Sequence, residues 1–140
     1  MADYFTNFSC LLDVGTPDNA RRALELYRSF DEQLDRDEAA SVGFALSIQP
    51  EEGGTTLWIR DDETGDPEHV IAFVLQCAET LKLKGQWGFE WANTCSKPRL
   101  DAFGGGAQII DLEAGSTTAW VSTNEWLARN LPDKKPAGEE

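Results

Sequence analysis

The stretch Phe8-Ser9-Cys10-Leu11-Leu12-Asp13-Val14-Gly15-Thr16-Pro17-Asp18 changes its period partway along, and that change decides the fold. Phe8, Cys10, Leu12 and Val14 alternate on one face, the pattern of a half-buried strand. Thr16 can then cap a helix whose first position is filled by Pro17, where the missing N–H would have had no partner. Ala20, Ala23, Leu24, Tyr27, Phe30 and Leu34 follow at three- and four-residue steps, the apolar stripe of a helix that should end near Glu38.

The same grammar repeats downstream. Val42, Phe44, Leu46 and Ile48 alternate as a second strand, Pro50-Glu51-Glu52-Gly53-Gly54 turns the chain, and Thr55 to Arg60 run back as a third. Asp66 and Pro67 repeat the helix-start device ahead of Val70, Ile71, Val74, Cys77, Ala78 and Leu81, a stripe that Phe73 and Leu75 widen. This second helix should therefore be the more buried of the two, with Gly85 as its stop. Trp87, Phe89 and Trp91 mark a fourth strand. The order of elements predicts an α+β fold with a ferredoxin-like split βαβ core (β-α-β-β-α-β), one antiparallel sheet carrying both helices on one face.

Beyond a connector from Lys97 to Gly106, Gln108 to Leu112 and Thr117 to Val121 predict a C-terminal β-hairpin. Ser122 with Glu125 is a capping box for a short last helix carrying Trp126, Leu127 and Leu131. Residues 1–131 are expected to form a single α+β domain, and 132–140 a polar flexible tail.

Charge narrows the function. In 140 residues, 12 Lys+Arg face 25 Asp+Glu, a formal net charge of −13. Such a surface repels phosphate and anionic lipid, so direct nucleic-acid binding and membrane association are excluded as expectations. No apolar run approaches the roughly 20 residues of a membrane-spanning helix. Cys10, Cys77 and Cys95 share no metal-ligand spacing and His69 is the sole histidine, so neither a metal nor a cofactor is expected, and a reducing cytoplasm fits the cysteine usage.

Two motifs lose their chemical reading on spacing. Gly104-Gly105-Gly106 lacks the pattern of a phosphate loop and reads as a bulge or a loop entering an edge strand. Asp61 to Asp66 is acidic, but the sixth and twelfth places of a calcium loop would fall on Asp66 and Ala72. Cys95 is richer: Lys97 and Arg99 flank it and Asn93 precedes it, so Cys95, Asn93 and Arg99 are the candidate residues if the chain is a small-molecule-binding protein or an enzyme. Without a base in reach, Cys95 reads as a packed thiol and not a nucleophile.

The segment Phe89-Glu90-Trp91-Ala92-Asn93-Thr94-Cys95-Ser96-Lys97-Pro98-Arg99, continuing to Phe103-Gly104-Gly105-Gly106-Ala107, resembles a pattern in small uncharacterised proteins of bacterial plasmids and phages. The resemblance spans about 20 residues and brings no activity or catalytic residue with it. It implies a bacterial accessory protein.

The acids are not spread evenly. Asp31, Glu32, Asp35, Asp37 and Glu38 crowd the end of the first helix, and Asp61, Asp62, Glu63, Asp66 and Glu68 the start of the second. Acids at a helix C-terminus oppose its dipole, so local stability does not account for the first group. In the expected topology both groups lie at one end of the sheet and merge into an acidic surface suited to a basic protein partner or to mimicry of a nucleic acid. Trp58, Trp87, Phe89 and Trp91 are expected on the open sheet face, covered by the C-terminal hairpin or by a second copy in a homodimer. The leading expectation is a non-enzymatic protein-interaction or inhibitor module, with the site near Cys95 and the nucleic-acid mimic as alternatives.

Overall fold

A computed structural model describes residues 4–36, 42–62, 65–98 and 102–131. The fold is α+β, with three α-helices and two antiparallel sheets. Strands β1 (Tyr4–Asn7) and β2 (Ser9–Asp13) precede helix α1 (Pro17–Arg36), and β3 (Ala45–Gln49) and β4 (Thr56–Arg60) precede α2 (Pro67–Leu81). Strands β5 (Gln86–Cys95), β6 (Gly104–Asp111) and β7 (Ser116–Ser122) lead into α3 (Thr123–Asn130).

The helix starts follow from local chemistry. The Thr16 hydroxyl accepts the Asn19 N–H at 3.0 Å, the Asp66 carboxylate accepts the His69 N–H at 3.2 Å, and the Ser122 hydroxyl accepts the Glu125 N–H at 3.4 Å. α2 is the more buried helix, with Val70, Phe73, Val74, Cys77, Ala78 and Leu81 in the core. Its stop differs from the expected one: Lys82, at φ 59°, takes the left-handed cap position three residues ahead of Gly85.

The single ferredoxin-like sheet does not form, because the strand order differs. One sheet runs β1-β5-β6-β7 and the other β2-β4-β3. The expected first strand breaks at Phe8, where the chain changes partner from β5 to β4. Asp61 drives the exchange: its carboxylate accepts the Phe8 N–H at 2.8 Å while its own N–H donates to the Phe8 carbonyl at 3.0 Å. The sheets remain joined by the core and by the Trp87 indole N–H, which donates to the Leu11 carbonyl at 2.8 Å.

Other boundaries shift. Val42 and Phe44 are buried but precede β3, and β5 extends through Cys95, which ends the strand. The glycine triplet lies inside β6, opposite Trp91, Ala92 and Asn93. Trp87 and Phe89 are core residues, their rings stacked at 5.2 Å, and only Trp58 of the expected aromatic set leaves the core face. The hairpin β6–β7 does not cover the sheet but widens it, and Trp126, Leu127 and Leu131 stay exposed. The expected tail, 132–140, lies outside the described residues.

Candidate binding surface

Helix α1 reaches the start of α2 through an aromatic cluster. Tyr27 and Phe30 lie 5.9 and 6.0 Å from Phe73, and Phe30 also meets the His69 ring at 6.0 Å. The ends that carry the two acidic groups are thereby held side by side. Burial pushes the Tyr27 hydroxyl above its ordinary range, and the charges of Asp31 and Asp62 push it further in the same direction. One residue thus senses an acid from each group.

Two of the acids make structural contacts of their own. Asp61 is committed to the sheet exchange at Phe8, and Asp66 caps α2 while lying 3.3 Å from His69 Nδ1. Asp31, Glu32, Asp62 and Glu68 are half-exposed or exposed. The Asp35 side chain, together with Asp37, Glu38 and Glu63, lies outside the described residues. Arg21 and His69 make the ion pairs seen among the described residues, with Asp18 and Asp66.

Beside this acidic end runs a groove of about 410 Å³ between α2 and the larger sheet. One wall is Asp66, Pro67, Glu68 and Ile71, and the other is Trp91, Gln108 and Trp120, one residue each from β5, β6 and β7. Gly106 explains the second wall. A Cβ at that position would meet the Trp91 ring at 2.6 Å, so the absent side chain lets the indole lie across β6. The alternation of Trp87, Phe89 and Trp91 does not say which wall Trp91 joins and no local pattern marks Trp120; the glycine triplet is the sequence signal for this wall.

Of the alternative site, Asn93 and Cys95 lie near the end of β5. Asn93 accepts the Thr6 hydroxyl at 3.0 Å and lines a second groove of about 410 Å³ with Tyr4, Phe5, Thr94, Phe103 and Asn124. Cys95 is not among its lining residues, and Arg99 lies outside the described ones. Among the described residues no three His, Cys, Asp or Glu side chains converge on a metal position, and no helix is long and apolar enough to cross a membrane. No family model, characterised protein or solved structure matches this chain.

The other two thiols are suppressed by burial, which pushes Cys10 up to about 11 and Cys77 up to about 12. Near pH 8, on the order of a thousandth or less of either is thiolate. Labelling of the native protein by an aromatic disulfide is expected to be confined to Cys95, and raising the pH toward 11 should accelerate Cys10 before Cys77. Rapid labelling mapped to Cys77 near pH 8 would contradict this packing.

Proposed function

We propose that the chain is a non-enzymatic protein-interaction or inhibitor module that takes a basic protein partner on the end where α1 finishes and α2 begins. The resemblance in the β5–β6 region adds a bacterial accessory element as its setting. The observation that carries the reading is the packing of the Phe30 ring on His69 at 6.0 Å, which brings the last turns of α1, with Asp31 and Glu32, to the start of α2, with Asp66 and Glu68, in a chain of net charge −13. Charge of one sign gathered at one place speeds and orients encounter with a partner of the other sign.

The test is the binding of a fluorescent Arg- and Lys-rich peptide, followed by anisotropy at about 0.01 and 1 M salt, where the screening length falls from about 30 to 3 Å. Binding should be strong at low salt and lost at high salt. The combined change Asp31→Asn, Glu32→Gln and Asp62→Asn should weaken it by about tenfold. Undiminished binding by that variant, or no binding by the wild type at low salt, would remove the proposal.

A second reading is self-association. β7 is an edge strand whose seven residues carry no charge, and all but Ser122 are exposed, so two copies would meet there with little repulsion. A mass that doubles with protein concentration, independent of the peptide, identifies it.

A further inference from the structure

We infer that the groove between α2 and the β5–β6–β7 sheet receives one cationic side chain, an arginine or lysine of the partner. The inference rests on the acidic-end reading, and it deepens it by naming the anchor. Two indoles, Trp91 and Trp120, stand on the sheet wall, and Trp120 is 59% exposed. The faces of such rings carry partial negative charge and attract a cation. Opposite them, Ile71 and Pro67 offer apolar contact to an alkyl stem, while Asp66 and Glu68 bring two carboxylates to the same opening. A side chain with an apolar stem and a charged head matches both parts.

Charge decides which ligands fit. No Lys or Arg is among the lining residues, so nothing on either wall favours an anion except the positive end of α2. That end is worth about half an elementary charge, which the two carboxylates outweigh. The same chemistry already operates inside the molecule, where the Arg60 guanidinium sits 4.0 Å from the centroid of the Trp58 ring. In the groove, the aromatic wall is present and the guanidinium is what a partner would bring. Gly106 is part of the device, because any side chain there would displace the Trp91 ring.

The experiment uses ethylguanidinium, which reproduces the head of an arginine, against ethylurea, which is close in shape and neutral. The indole N–H resonances of Trp91 and Trp120 are followed by NMR during each titration. Ethylguanidinium is expected to shift both, ethylurea neither. In the peptide assay above, Trp120→Ala should weaken binding between about twofold and thirtyfold, and Glu68→Gln should weaken it less. Equal shifts with ethylurea would make the groove a neutral stacking platform and overturn the inference, as would full peptide affinity in Trp120→Ala. The small-molecule titration reports on the groove alone and the triple acid variant on the acidic end alone. A failure of one is therefore distinguishable from a failure of the other.

Discussion

Replacing Phe73 by alanine is expected to lower the unfolding free energy by about 3 to 5 kcal/mol. Phe73 is fully buried, and its ring meets those of Tyr27, Phe30 and Phe44 at 5.9, 6.0 and 5.5 Å. Those partners come from α1 and from the segment before β3, so one truncation opens a cavity where three parts of the chain meet. None of them can close it without abandoning its other contacts: Tyr27 donates its hydroxyl to the Phe44 carbonyl at 2.6 Å, and Phe30 packs on His69. For a domain whose whole stability is about 5 to 15 kcal/mol, the loss is a large fraction. Chemical denaturation should show a lower midpoint with an unchanged slope. Phe103→Ala, at a half-exposed ring, is the control and should cost no more than about 0.5 kcal/mol. A Phe73→Ala loss below about 1 kcal/mol would mean that the cluster is not the keystone described.

Legibility in the sequence followed the range of the interactions. The starts of α1, α2 and α3 were readable because each cap and the N–H that donates to it lie within three residues, as with Thr16 and Asn19. The break of the first strand was not, because it depends on Asp61, 53 residues away. β1 went unread for a related reason: Tyr4 to Asn7 lacks apolar alternation, and its pairing with Ala92 to Cys95 spans most of the chain. The period of Trp87, Phe89 and Trp91 was correct, but period alone does not say which face of a sheet the helices cover.

The candidate surface divides in the same way. The acids were visible as two runs, and the approach of the end of α1 to the start of α2 follows from the packing of Phe30 on His69 and Phe73. Their separate duties were hidden: nothing local marks Asp61 as the residue that redirects a strand. The groove was hidden more deeply. Trp91 and Trp120 reach the same wall through the registers of β5 with β6 and of β6 with β7, the latter shifted between Ile109 and Ile110. A one-residue error in either register moves an indole to the other face.

Replacing Gly43 by alanine is expected to destabilise the protein by about 2 to 5 kcal/mol and to disturb the groove as well. Two costs add. At φ +83° a residue with a Cβ loses about 1 to 2 kcal/mol. The new Cβ would also lie 2.5 Å from Asp66 Cβ and 2.9 Å from its backbone nitrogen, an overpacking that typically costs about 1 to 3 kcal/mol. Relief by movement is blocked on both sides. The Gly43 carbonyl accepts the Asp66 N–H at 3.1 Å, and the neighbouring Val42 carbonyl lies 3.0 Å from His69 Nδ1, so segment and helix start are clamped together. Gly15 separates the two costs, since it has φ +92° with nothing within 4 Å of an added Cβ. Gly15→Ala should therefore show the conformational cost alone, and the difference between the two variants measures the contact. Because Asp66 both caps α2 and lines the groove, Gly43→Ala should also weaken ethylguanidinium binding while Gly15→Ala leaves it intact. Equal stability losses in the two variants would show that Asp66 yields to the added methyl, and the rigid mounting of the groove wall would then have to be given up.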